Sequence, residues 1–144
     1  MGRYFDDFVP EEVFKTHGKT ITETDVVLFA GITGDFVPLH VDERSAKESI
    51  YGKRIAHGLL VMSIACGLLV QLGFLHENTI ALWHTEWSFL KAVFLGDTIY
   101  MTAQVDSLKE KNRKSGLVTF ATKVFNQKDD VVQMGKLEIL FKKR

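Results

Sequence analysis

Gly58-Leu59-Leu60-Val61-Met62-Ser63-Ile64-Ala65-Cys66-Gly67-Leu68-Leu69-Val70-Gln71-Leu72-Gly73 is apolar on every side of a 3.6-residue repeat, the pattern of a helix enclosed by other protein. At the standard rise it would be about 24 Å long. A bilayer span needs roughly 20 continuous apolar residues. This run is shorter, is interrupted by Ser63, Gly67 and Gln71, and lacks flanking charge asymmetry. Enclosure by its own domain is expected, with no membrane partner.

The enclosing layer lies downstream. Residues 79–90, 98–109, 116–126 and 131–141 are rich in valine, isoleucine, threonine and aromatics. Leu95-Gly96-Asp97, residues 112–115 and Gln127-Lys128-Asp129-Asp130 break them apart. Ile99, Met101, Ala103 and Val105 alternate with Tyr100, Thr102, Gln104 and Asp106, so the sheet has one buried face. Residues 18–22 add a short strand, and residues 4–15 read as an irregular or briefly extended lead-in. The expected class is α+β, an antiparallel sheet of about five strands wrapped round one long apolar helix, as a single domain over residues 1–144. One helix cannot cover such a sheet fully, so edge-to-edge pairing into a homodimer or higher homo-oligomer is expected.

Upstream of the apolar run, Thr22 followed by Asp25 forms a capping-box pattern, and Val26, Val27, Phe29 and Ala30 are spaced for a helix that Gly31 and Gly34 bring to an end. Asp35 then falls at or just beyond a helix terminus, and Pro38 fixes the loop that carries His40. A short helix over residues 43–49 and a turn at Tyr51-Gly52-Lys53-Arg54 lead to His57 and Gly58.

Eighteen basic and eighteen acidic side chains are scattered along the 144 residues, which argues against a phosphate-tracking face and so against nucleic acid. Lys142-Lys143-Arg144 is a small basic cluster suited to a solvated chain end. Cys66, the single cysteine, cannot form an internal disulfide, and the N-terminal residues lack the apolar core of a secretory signal, so a cytoplasmic setting is expected. No zinc-type ligand spacing is visible among His76, His84 and the other histidines, and no metal or other cofactor is expected. Trp83, Trp87 and Phe89 sit at alternate positions and read as sheet-face residues. If the two tryptophans point inward, they shorten any acyl pocket.

A carboxylate and an imidazole held close together can move two protons in opposite directions, which makes Asp35 and His40 the candidate catalytic residues. A glycine opening a helix can aim a backbone N–H at a developing oxyanion, which makes Gly58 the candidate donor to substrate. Together they suggest addition or removal of water beside a carbonyl.

The order Thr33-Gly34-Asp35, Pro38-Leu39-His40, Ala46, Ile55-Ala56-His57-Gly58 and Val93-Phe94-Leu95-Gly96-Asp97-Thr98-Ile99 resembles the MaoC-like, (R)-specific enoyl-CoA hydratase family over nearly the whole chain. The resemblance implies a hot-dog fold and a homodimer. It also implies reversible hydration of a trans-2-enoyl thioester, carried by coenzyme A or acyl carrier protein, to the (R)-3-hydroxyacyl thioester. It assigns Asp35 and His40 to the acid-base pair and Gly58 to the thioester carbonyl. His57, Ser63 and Cys66 are the candidates to support them from behind. Two positions depart from the family pattern: Val37 stands where asparagine usually precedes the proline, and Cys66 where many members have serine. Which of Asp35 and His40 is the base, and what acyl length is taken, stay open.

Two other readings share the fold. A thioesterase would place a carboxylate on the central helix, and residues 58–75 contain no aspartate or glutamate. A non-catalytic module that binds acyl thioesters is the other, kept alive by Val37.

Overall fold

The computed structural model describes residues 2–144. A 3-10 turn at Phe5–Asp7 precedes β1 (Val13–Lys15) and β2 (Lys19–Thr20), so the lead-in contains one turn and one short strand. Then come α1 (Glu23–Thr33), α2 (Pro38–Val41), α3 (Glu43–Lys47) and α4 (Gly58–Val70). The chain closes with β3 (Thr79–Phe89), β4 (Thr98–Glu110), β5 (Ser115–Phe125) and β6 (Val131–Lys142). The sheet runs β1-β4-β5-β6-β3, all antiparallel, and β2 continues the β1 edge of β4. Six strands therefore occupy five positions, because β1 and β2 pair in turn with successive stretches of one neighbour.

Alternation in β4 holds as expected. Ile99, Met101 and Ala103 are fully buried, with Val105 beside them, against the helix side of the sheet. From α4, Leu60, Val61, Ala65 and Leu69 enter the same core, and Phe5, Phe8 and Phe74 close its far end. Phe8 touches Phe74, Phe120 and Phe141 edge-on or tilted, geometries that add to simple burial.

α1 starts as its sequence dictates. The Thr22 hydroxyl accepts the Asp25 N–H while Asp25 accepts the Thr22 N–H. Gly31 lies inside this helix, and Gly34 alone ends it, with φ of 80° in the left-handed region that glycine adopts without strain. Residues 38–41, read as loop, form the short helix α2, since Pro38 supplies the φ a first helical position needs.

α4 departs from the sequence reading in length and in cover. It ends at Val70 rather than at Gly73, and Gly73 takes a positive φ in the turn that follows. One side is not enclosed: Leu59 is 59% exposed, Val70 is 43% exposed, and Ser63 lies between them. β3 is an open sheet edge with Ile80, Leu82 and Trp83 exposed. The two tryptophans also part company. A register shift between Leu82 and His84 bulges Trp83 out of the pairing, whereas Trp87 stays opposite Gly135.

Candidate active site

Capping of α1 sets the position of Asp35. The Gly34 N–H donates to the Ala30 carbonyl, and the Thr33 hydroxyl both donates to the Phe29 carbonyl and accepts the Asp35 N–H. Asp35 Oδ1 accepts the Val37 N–H at 3.3 Å, and the Val37 carbonyl accepts the His40 N–H at 2.9 Å. Backbone bonds thus brace the loop at the position where the family's asparagine is replaced by Val37, whose side chain is exposed.

His40 projects from α2 with Nδ1 2.8 Å from the Ile55 carbonyl, and the Ile55 N–H bonds back to the Leu39 carbonyl. His57, only 2% exposed, places Nε2 2.9 Å from the Asp35 carbonyl. Carbonyls only accept, so each ring carries its proton on the nitrogen facing its carbonyl. In the neutral imidazoles, His40 Nε2 and His57 Nδ1 then carry the lone pairs. The rings stack with centroids 3.9 Å apart, and Phe29 meets His57 in a tilted contact at 4.8 Å. His57 Nδ1 is buried without a partner. This histidine therefore links the Asp35 backbone and the His40 ring to the start of α4.

Asp35, His40 and His57 bring ligand-type atoms within 4.8 Å of one another. As a possible ligand set this cluster left no mark in the sequence spacing, because its members come from a loop, α2 and the residue before α4. Two nitrogens and a carboxylate are a donor set that a transition metal accepts. They are equally a cradle for one water between a carboxylate and an unprotonated imidazole nitrogen.

Gly58 opens α4, so its amide has no partner within the helix and lies at the positive end of the helix dipole. It shares a cavity of about 330 Å³ with Asp35, His40, His57, Leu59 and Phe89. An added Cβ at Gly58 would stand 2.8 Å from the Phe89 ring, so any other residue would have to displace that ring. Gln133, which sequence reasoning missed, donates from Nε2 to the Gly58 carbonyl at 3.0 Å and accepts the Trp87 indole N–H at 2.9 Å. It reaches the helix start because β6 bulges: Gln133 pairs with Val124 and Val131 with Phe125, leaving Val132 unpaired. No sequence signal marks such a bulge.

The remaining candidates lie elsewhere. Ser63 donates its hydroxyl to the Leu59 carbonyl on the exposed side of α4, and neither it nor Cys66 lines the cavity. Burial pushes the Cys66 thiol up, so it stays protonated and acts as apolar filling. Neither Trp83 nor Trp87 lines the cavity, so neither shortens a pocket there.

Comparison with known proteins identifies the family. The MaoC like domain family model matches residues 7–128. The chain is 34% identical over 123 residues to an (R)-specific enoyl-CoA hydratase from Rhodospirillum rubrum, covering 83% of this chain and 78% of that protein. Protein MaoC from Klebsiella aerogenes is 35% identical over 78% of this chain, which spans only 33% of that longer protein. Among solved structures, a monoamine oxidase regulatory protein from Archaeoglobus fulgidus superposes with a TM-score of 0.94 at 37% identity, covering 99% of this chain and 96% of that one. A double hot-dog protein from Mycobacterium tuberculosis superposes at 0.86 and 22% identity, over 99% of this chain and 45% of that one, which shows the fold. The fold is the hot-dog fold, and no described helix is long and apolar enough to cross a membrane. With its family model matched across most of its length, the chain belongs to the MaoC-like dehydratase family, which includes (R)-specific enoyl-CoA hydratases.

Proposed function

We propose that the protein reversibly hydrates a trans-2-enoyl thioester of coenzyme A or acyl carrier protein to the (R)-3-hydroxyacyl thioester. The observation that supports this reading is that Asp35, His40 and Gly58, the first residue of α4, line one cavity. A water gripped by the Asp35 carboxylate and the free Nε2 of His40 is held on one face of the C2–C3 double bond. Its oxygen bonds to C3 as one of the pair takes its proton. The electrons of the double bond move toward the carbonyl, and C2 then receives a proton from the pair. Oxyanion character on the thioester oxygen meets the Gly58 N–H, strengthened by the dipole of α4. Because both partners stand on the same side, water adds to a single face. The reaction adds OH to C3 and H to C2 with no net oxidation or reduction, so it needs no redox group.

A homodimer fits this chemistry. Leu59 and Phe89 wall the cavity yet are more than half exposed, and they adjoin the open β3 edge. A second copy paired along β3 would cover them and dry the site. Against a thioesterase stands the absence of any carboxylate on α4 to activate water against the thioester carbonyl.

Mixing the purified protein with crotonyl-CoA tests the reading. Loss of the enoyl-thioester ultraviolet absorbance without release of free thiol is expected. Thiol release would favour the thioesterase, and saturable binding with neither signal would favour a module that only binds.

A further inference from the structure

Asp35 and His40 lie on one stretch of chain that runs from α1 through α3, and residues 54–57 are what that stretch docks on. The Ile55 carbonyl accepts from His40 Nδ1, the Ile55 N–H donates to the Leu39 carbonyl, and His57 Nε2 donates to the Asp35 carbonyl. This strip is itself anchored. The Ala56 N–H donates to the Val93 carbonyl, and Ile55 forms an antiparallel bridge with Phe94.

Arg54 extends the strip by one residue and reaches both flanks of the catalytic stretch. Its Nε donates to Glu43 Oε2 at 2.7 Å and its Nη1 to Glu23 Oε1 at 2.9 Å. Glu23 is the first residue of α1, the helix whose C-terminal cap aims Asp35, and Glu43 is the first residue of α3, the helix that follows His40. One guanidinium therefore ties together the two ends of the segment that carries the acid-base pair. The Arg54 side chain is 15% exposed against 65% for each glutamate, so the arginine is the seated member and the helices come to it.

Ion pairs with partners as exposed as these glutamates add little to global stability. Their effect is geometric. Two donors on a rigid planar fork fix where both acceptors stand, which the single ammonium of a lysine would not do. Neither Arg54 nor either glutamate lines the catalytic cavity.

We infer that Arg54 is a positioning residue for the acid-base pair: by holding Glu23 and Glu43 it sets α1 against α3, and so the Asp35 carboxylate against the His40 ring across the bound water. This rests on the hydratase reading above. A misplacement of about 1 Å far from the chemistry can cost roughly 100-fold in rate. Releasing the clamp therefore acts on kcat and leaves KM, which is set by cavity walls that Arg54 does not touch.

The test compares wild type with Arg54→Gln, with the double variant Glu23→Gln/Glu43→Gln and with the triple combination, by crotonyl-CoA kinetics and by amide hydrogen exchange. Arg54→Gln and the double variant should each lower kcat roughly tenfold with KM little altered, and the triple variant should lose no more than either. The His40 and Ile55 amides, which donate to the Val37 and Leu39 carbonyls, should exchange roughly tenfold faster, with the amides of β5 unchanged. Unchanged kcat in either variant, or losses that multiply in the triple variant, overturns the clamp. So does exchange that stays unchanged at His40 and Ile55, or that rises equally in β5, since Arg54 would then serve global stability alone. Exchange also separates the two claims. If the wild-type protein does not hydrate crotonyl-CoA, the hydratase reading fails, and faster exchange confined to His40 and Ile55 still upholds the clamp while unchanged exchange removes it.

Discussion

Gln133 shows how a side chain can set the reaction geometry through the backbone of its neighbour. It holds the Gly58 carbonyl with its amide nitrogen, and its amide oxygen is held by Trp87, so its orientation is not free. Phe89 presses on the same glycine from the other side. Replacing Gln133 with leucine leaves the Trp87 indole N–H without its acceptor and costs about 1–3 kcal/mol of stability. The same change loosens the first turn of α4, so kcat should fall by roughly tenfold with KM little altered, as for an interaction made mainly in the transition state. Steady-state kinetics beside a thermal melt checks both. Asp35, His40 and Gly58 were legible as a set because their chemistry is local, a proline-braced loop and a glycine at a helix start. Gln133 was not, because its position depends on a bulge between distant strands, and pairing register leaves no mark in one sequence.

At the scale of the element, α1 matters because its C-terminal cap aims Asp35. Its N-terminal capping box ties helix formation to pH. Burial works to raise the Asp25 carboxyl, but hydrogen bonds from Lys19 and from the Thr22 N–H and hydroxyl outweigh it and hold the group below the usual carboxylate range. A group depressed in the folded state favours folding above its unfolded value, and that contribution is lost as pH falls through the depressed value. Asp25→Asn should therefore flatten the acid limb of the stability curve and leave its slope near neutrality unchanged, as urea melts across pH will read. Thr22→Ala removes the other half of the box and should cost about 1 kcal/mol, measured the same way. Capping was readable from Thr22 and Asp25 alone. The end of α4 was not, because apolar residues continue to Leu72 after the helix has stopped at Val70, and only the turn at Gly73 decides the boundary.

For the molecule as a whole, the alternating β4 residues and the apolar run were enough to give a sheet wrapped round a helix. What they concealed is that the wrap is incomplete. An all-round apolar helix is equally what a chain needs when one of its faces is to be covered by a second copy, and periodicity cannot tell the two apart. Leu59 and Val70 on α4 and Ile80 and Leu82 on β3 mark the uncovered side. A lysine at Leu82 would put an unpaired charge in the proposed dimer seam. Leu82→Lys should thus shift sedimentation from dimer toward monomer and lower activity in parallel, since Leu59 and Phe89 wall the catalytic cavity. Monomeric wild-type protein with full activity would contradict this.

The central claim is that Asp35 and His40 together activate one water. Its most direct test is the rate of crotonyl-CoA hydration by Asp35→Asn and His40→Ala, each compared with wild type after circular dichroism shows the fold intact. Each variant should lose roughly 100-fold or more in turnover, the usual weight of a general acid-base group. A near-normal rate in either one would remove that residue from the mechanism and break the account.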